Sequence, residues 1–438
     1  MTFPSILTMV SMFTILFFYI ILSSKRIKYI YGYEIYNPIS YNLAIYLFTG
    51  LVGCIALILL PINENVNKMV DSYASYSLRI RVLLIMIYGF IIFLVPVYLR
   101  KYYWFNVKLF NIDSRISLTY LARLFITINL VTILIFFLFT RMNLFLSIFS
   151  EGLDVWGILE LRSKLVESEK SLYFFRNILI DGFAWIYLLY LSQLNRNRSQ
   201  FFILFILLAL FFITSLTKIK LILFLLSILM IKTWNEKIYL GSFIKYGIIF
   251  FICLLGMWSL LVRNFDPIYL FSIYSEGLVG RILISEISAL YAHLSIFGNY
   301  EEYIGFSSLS NTISNIYEII PSPRSGRIVL ETVSPSWVSS GIGGVYNTVF
   351  FGEAYANFGL VGILLSPIWV ALVYVTIMKL STTLSADFQK PFLIYIGLNL
   401  SMMSGFNDYL WNPYLLIIFI VLFFMSNYKN FTKILYSS

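Results

Sequence analysis

Long apolar runs separated by short polar stretches set the pattern of the chain. They lie near 3–22, 40–60, 82–99, 117–140, 177–194, 200–216, 219–234, 244–262, 348–378, 391–406 and 413–426. A helix needs about 20 mostly apolar residues to cross a hydrocarbon core of about 30 Å, and somewhat fewer where it sits short. The pattern therefore predicts an all-α polytopic membrane protein with about eleven transmembrane helices in a single membrane domain, 1–438. The cluster Lys25, Arg26 and Lys28 follows the first run, whereas a secretory signal carries its charges ahead of the core, so this run reads as a retained helix.

Charge orders the connections. Taken alternately, one set holds Lys25, Arg26, Lys28, Arg100, Lys101, Lys108, Arg115, Arg196, Arg198, Lys232, Lys237, Lys245, Lys379, Lys390, Lys429 and Lys433. Its acids are only Glu34, Asp113, Glu236 and Asp387, while the other set is near balance. The positive-inside rule puts the basic set in the cytoplasm, the N-terminus outside and the C-terminus inside. Thr217-Lys-Ile-Lys220 is the exception, with two lysines on the outer side or lining a polar cavity between short helices. Two outer connections are too long for hairpins, 141–176 and 263–347. A transporter built on paired repeats keeps its loops short and its site near the midplane; this chain puts its polar residues on one face.

Composition changes the picture in one respect: it excludes a soluble globule. Hydrophobic residues make up 60% of the chain and charged residues 12%, against about 25% charged in soluble domains. The aromatic share of 19% fits interfacial belts and sugar-facing surfaces alike. A net charge of +10 follows from cytoplasmic loops facing anionic lipid and does not call for nucleic acid. Cys54 and Cys253 sit in apolar runs and read as small hydrophobes, not as a disulfide or a metal site.

The long loops carry the candidate chemistry. In the first, Val155, Ile158, Leu159, Leu161, Leu165 and Val166 have the spacing of an amphipathic helix lying on the bilayer. Arg162 and Lys164 there are candidates for a phosphate-bearing ligand, and a solvated face with Glu–Lys pairs is the alternative. Arg162 is preferred, because a planar fork matches diphosphate oxygens. In the second, the stretch from Gly280 to Phe297 reads as a helix with Glu286 and His293 on one line. Arg281, Ser285 and Ser288 make a polar stripe beside them, and Leu283, Ile287, Leu290 and Leu294 an apolar back. His293, the sole histidine, is the natural side chain for a base near neutral pH, or else an interfacial residue without chemistry. Pro321-Ser-Pro-Arg-Ser-Gly-Arg327 reads as a compact turn able to aim Arg324 and Arg327 at one anion, or as a plain basic turn. Ser339-Ser-Gly-Ile-Gly-Gly344 adds flexible backbone N–H groups.

The sharpest pattern is Phe350-Phe-Gly-Glu-Ala-Tyr-Ala-Asn-Phe-Gly-Leu-Val-Gly362, with Glu353 and Asn357 one turn apart at the expected outer mouth of a span. It resembles the Wzy-type polymerases of O-antigen or oligosaccharide repeat units, as do the many spans and the two arginine-bearing outer loops. The resemblance implies a GT-C-like glycosyltransferase architecture in the bacterial inner (cytoplasmic) membrane. It implies transfer of a growing glycan from undecaprenyl diphosphate onto a second lipid-linked repeat unit, for O-antigen, capsular or related polysaccharide. Donor and acceptor are then both undecaprenyl-diphosphate-linked glycans held among membrane lipid, with a chain-length regulator as a candidate partner, and no cofactor or metal is implied. In that chemistry Arg281, Arg324, Arg327 and Arg162 would neutralise diphosphate. His293, Glu286 or Glu353 would take the hydroxyl proton, and Tyr355 and Asn357 would touch substrate. An O-antigen ligase shares this chemistry, and a lipid-linked oligosaccharide flippase or other transporter is the rival from another class.

Overall fold

A computed structural model describes residues 42–43, 45–59, 75–99, 120–150, 157, 160–161, 164–165, 169, 172–194, 198–215, 218–233, 285–309, 322–339 and 345–437. Among them the structure is helical, with a single isolated bridge, Phe297 to Glu301, and no strand. A π-helical turn, Tyr46–Leu51, leads into α1 (Val52–Leu59). Then come α2 (Tyr76–Leu99), α3 (Tyr120–Ser150), α4 (Tyr173–Gln193), α5 (Arg198–Thr214) and α6 (Lys218–Thr233). After these come α7 (Ser285–Ile296), α8 (Ser325–Val333), α9 (Phe350–Ser381), α10 (Ala386–Asn399), α11 (Asn407–Leu410) and α12 (Pro413–Ser437).

Five stretches are long and apolar enough to cross a membrane: Tyr76–Phe93, Tyr120–Ser147, Tyr173–Gln193, Phe350–Ser381 and Asn407–Ser426. They answer the runs expected near 82–99, 117–140, 177–194, 348–378 and 413–426. The runs near 40–60, 200–216, 219–234 and 391–406 appear as shorter helices, and those at 3–22 and 244–262 lie outside the described residues. Large apolar side chains point outward along these helices, among them Leu84, Phe125, Phe139 and Leu360. Such a surface needs lipid around it, and the chain is a membrane protein.

Three elements depart from the expected pattern. Helix α3 runs on to Ser150, a helical extension into the loop expected from 141. The expected turn at 321–327 is the start of α8, with Arg324 extended at its N-cap and Gly326 already helical. Gly326 is required there, because a Cβ would fall 2.6 Å from the Tyr346 carbonyl oxygen. The third departure matters most. Gly359 has φ 61° and ψ −142°, which breaks α9 into two helices. A Cβ on Gly362 would sit 1.9 Å from the Ala354 carbonyl oxygen. Residues eight apart in a straight helix are about 12 Å apart along its axis, so the chain folds back on itself at Gly359. The small residues of the 350–362 pattern thus serve a sharp reversal, where a glycine tolerates positive φ and its neighbour lets backbone approach backbone.

The bundle's ends can be matched through contacts. Thr127 near the start of α3 meets Tyr187 near the end of α4 at 3.4 Å, so these two helices are antiparallel. Phe174 and Tyr414 rings lie 5.5 Å apart, and Gly182 packs against Ile418, so α4 and α12 start at the same end. Within the core, Trp185 donates to Ser227 at 2.8 Å and Tyr190 stacks on Phe388 at 4.5 Å, fixing α4 against α6 and α10.

A side chain at the reversal should be poorly tolerated. Gly362→Val is expected to lower the stability of the detergent-purified protein by about 1–3 kcal/mol, the usual range for overpacking. A thermal unfolding midpoint equal to that of the unsubstituted protein would mean the two halves of α9 do not meet as described.

Candidate functional site

The first half of α9 carries a buried carboxylate that two other segments converge on, the start of α8 and the stretch before α12. Glu353 accepts from Arg324 through both oxygens, Nε to Oε1 at 2.9 Å and Nη2 to Oε2 at 2.9 Å. Its Oε2 also accepts the Asn407 backbone N–H at 2.7 Å. Arg324 reaches on with Nη1 to Asp408 Oδ1 at 3.1 Å. Glu353 is 4% exposed, Arg324 44% and Asp408 39%, so the cluster runs from a closed inner carboxylate to an open outer one. A guanidinium has five N–H donors; among the described residues three are engaged, which leaves one on each Nη. Burial pushes the Arg324 pKa down, but the Glu353 hydrogen bonds and charge, with Asp408 behind them, hold it above its ordinary value. The guanidinium stays charged throughout the physiological range.

An amide network locks this cluster from behind. Asn357 donates to Asn407 Oδ1 at 2.8 Å, Asn407 donates to Ser308 Oγ at 3.0 Å, and Ser308 Oγ reaches Asn357 Oδ1 at 3.5 Å. Gly405 has no room for a side chain, since its Cβ would meet Glu353 Oε2 at 2.4 Å and Arg324 Nη2 at 2.6 Å. The loop between α10 and α11 therefore lies flat against the ion pair.

His293 sits beside this arrangement, fully buried on α7. Its Nδ1–H donates to the Ala289 carbonyl at 2.7 Å, which leaves Nε2 to accept from the Ser325 hydroxyl at 3.2 Å. Burial pushes its pKa down to about 4, against the opposing pull of the Ala289 carbonyl and of Glu353. It is a neutral ring that positions Ser325, the residue after Arg324. The expected polar face of α7 is not a surface: Ile287, Ser288, Ala289, Leu290, Tyr291, Ala292, His293 and Ile296 are all buried. Glu286 is partly buried, its Oε2 shut from solvent without a hydrogen-bond partner among the described residues, and burial raises its pKa to about 7.

The structure thus brings Arg324, Glu353 and Asn357 into one network and leaves Arg327 to one side, paired at 2.7 Å with Glu331 on the same helix. Tyr355 stands nearby with its hydroxyl 3.4 Å from that of Tyr303. Arg162 and Arg281 lie outside the described residues, as do positions 340–344 of the glycine-rich stretch. Of the first loop, Leu161 and Leu165 are buried, while Glu160 and Lys164 are exposed and paired at 2.8 Å.

Sequence reasoning missed Gly405, Asn407 and Asp408. Their signal was an Asn-Asp pair in a short break between two apolar runs, at a place read only as a connection. It also missed a second cluster. Glu169, 4% exposed, is gripped by Arg141 through both oxygens and by Arg176 at 2.7 Å. Arg141 also lies over the Phe211 ring at 3.9 Å and donates to the Phe211 carbonyl at 3.1 Å. Burial pushes the Glu169 carboxyl up, but the hydrogen bonds and charge of Arg141 and then Arg176 outweigh it and hold its pKa below the usual range. Arg176 and Asp408 both belong to the end of the bundle where α4 and α12 begin, so the two clusters share that end. A third pair, Lys220 with Asp181, lies within the helices, on a π-helical stretch of α4.

No family model matches the chain, and neither the curated proteins nor the solved structures include a significant match.

Removing the central charge of the second cluster strands two buried arginines. Glu169→Gln is expected to cost about 3–5 kcal/mol near neutral pH. A depressed folded pKa makes the ionised carboxylate stabilising above the unfolded value of about 4.3, and that stability fades as pH falls through the lower folded value. The difference in thermal midpoint between the two proteins should therefore be full near neutrality and shrink in acid below about pH 4; a difference independent of pH would contradict the ion triad.

Proposed function

We propose that this chain is a membrane glycosyltransferase that polymerises undecaprenyl-diphosphate-linked repeat units, with about eleven spans in a GT-C-like arrangement. In this reading the N-terminus and the Arg324 end face outward and the C-terminus faces the cytoplasm of a bacterial inner membrane. The observation that carries it is a fixed guanidinium with two N–H groups unengaged among the described residues, set beside a partly exposed carboxylate at one end of a lipid-embedded bundle. Those are the two groups that glycosyl transfer from a diphosphate lipid needs: a cation for the leaving group and a base for the acceptor.

The step balances without an external reagent. The acceptor hydroxyl oxygen attacks the anomeric carbon, the bond from that carbon to the diphosphate oxygen breaks, and the hydroxyl proton passes to a carboxylate. Undecaprenyl diphosphate departs carrying the electron pair. Arg324 would donate its two remaining N–H groups to the leaving diphosphate. Arg327, one turn along α8 from Arg324, is the second donor in this reading. Arg281 and Arg162 would add charge from the long loops. Among the expected bases, Glu353 is saturated by three donors, both His293 nitrogens are engaged, and Glu286 has its Oε2 shut from solvent. Asp408, with Oδ2 taking no hydrogen bond among the described residues, is therefore the base in this mechanism, and Glu353 its positioning partner through Arg324.

A transporter of lipid-linked oligosaccharide is the second reading, favoured by the Asp181–Lys220 pair within the helices. The two readings separate in one preparation. Purified protein in detergent with a chemically defined undecaprenyl-diphosphate repeat unit should give a glycan ladder spaced by one repeat. Asp408→Asn should slow it by about 100-fold or more, and Arg324→Lys by a similar factor, with both proteins still folded. A folded wild-type protein that makes no ladder from its native repeat unit, yet moves the lipid across a vesicle bilayer, would replace the polymerase with the transporter.

A further inference from the structure

We infer that the loop 298–306 is a saccharide-binding platform beside the Arg324 cluster, taking a neutral sugar ring of the lipid-linked glycan. The inference rests on the proposed function for the origin of that sugar, not for the site itself. Tyr300 is 77% exposed, Phe306 50% and Tyr303 48%, three large rings on nine residues. Between them Glu301 and Glu302 are exposed, and the loop has no lysine or arginine. An open surface groove of about 470 Å³ is lined by Gly298, Asn299, Tyr300, Glu301, Glu302 and Tyr303.

The platform is rigid. Gly298 N–H donates to the Glu301 carbonyl at 2.7 Å, and Tyr300 N–H to the Ile296 carbonyl at 2.8 Å. Tyr303 is wedged between two glycines of positive φ: a Cβ on Gly298 would fall 2.5 Å from its hydroxyl, and one on Gly359 3.0 Å from its ring. Its ring stands edge-on to Tyr355 at 5.7 Å, and Phe306 meets Phe358 at 4.9 Å. Two ladder-like bonds tie the loop to the site helix, Ile304 N–H to the Ala356 carbonyl and Gly305 N–H to the Asn357 carbonyl, both 3.0 Å. At its end, Ser307 accepts from the Ser322 N–H at 3.2 Å, two residues before Arg324, while Ser308 joins the Asn357–Asn407 network.

Chemistry selects the occupant. Two adjacent carboxylates repel an anionic headgroup and resist burial among acyl chains. A pyranose offers C–H faces for the rings and hydroxyl donors for the carboxylates, and both needs are met at once. The sugar would rest on the tyrosines while the diphosphate lies at Arg324, one loop away.

The test uses the full-length protein in detergent and the free oligosaccharide released by mild acid from the host's lipid-linked repeat unit, with no lipid or diphosphate present. Calorimetric titration should show binding to the wild type that Tyr300→Ala weakens about tenfold and Glu302→Gln weakens measurably. Inorganic pyrophosphate, titrated separately, should bind both variants as it binds the wild type. Tyr300 makes the safer variant because its ring is the most exposed of the three. Equal saccharide affinity in wild type and Tyr300→Ala would overturn the platform, as would a wild type that binds pyrophosphate but no saccharide. Because polymerisation is not the readout, failure of the ladder and failure of this site are separate results.

Discussion

A carboxylate held away from water in a protein solvated by lipid must be answered by donors, and Glu353 is answered by three. Arg324 supplies two and the Asn407 backbone supplies the third. Everything near that end of the bundle follows from meeting this demand. Arg324 has to stand at the N-cap of α8 with its backbone extended, so the helix starts where the ion pair puts it. Gly405 has to lack a side chain, and Gly359 has to turn the chain back so that Glu353 lies inside the bundle. Such a pair is weak evidence for stability compared with an apolar substitute, because both charges lose hydration. What it does is fix geometry: one arginine cannot satisfy Glu353 and Asp408 together in more than a narrow range of placements. The open edge of the guanidinium is thereby aimed, and aimed donors are what charge-developing reactions exploit.

The same logic recurs at the Arg141–Glu169–Arg176 triad. There the charges are closed in on all sides, with Phe211 and Tyr173 covering the guanidinium faces, and no donor edge is left open to solvent comparable to that of Arg324. The triad pins the chain after α3 to the start of α4, a structural task, whereas the Arg324 cluster is open and has an exposed carboxylate beside it. Two charged clusters at one end of the bundle, one closed and one open, match a protein whose polar residues are gathered on one face.

Much of the fold could be read in advance because hydropathy responds to lipid directly. The apolar runs near 82–99, 177–194 and 413–426 became helices with boundaries shifted by up to six residues. What hydropathy could not report was direction. The run 348–378 is apolar throughout, and the reversal at Gly359 leaves its average unchanged. Glu353 and Asn357 were legible as candidates because a polar side chain in apolar surroundings needs a reason, and Arg324 because a turn fixed by Pro and Gly carries two arginines three residues apart. Asp408 and Asn407 were not, since a short connection between helices is the ordinary place for polar residues. His293 was misjudged in its surroundings for a related reason: helical spacing tells which residues share a line, not whether that line meets solvent or another helix. Glu169 looked like one member of a surface run of alternating charge, and only the contacts of Arg141 and Arg176 reveal it as buried.

The central claim is that Arg324 and Glu353 act as one unit on which the site depends. A double-mutant cycle tests it directly, with thermal stability in detergent measured for Arg324→Ala, Glu353→Gln and the two together. Residues in one network are non-additive. The account predicts that the pair together costs little more than the worse single change, because each single change already strands its partner. Costs that simply add would show two independent side chains and would contradict it.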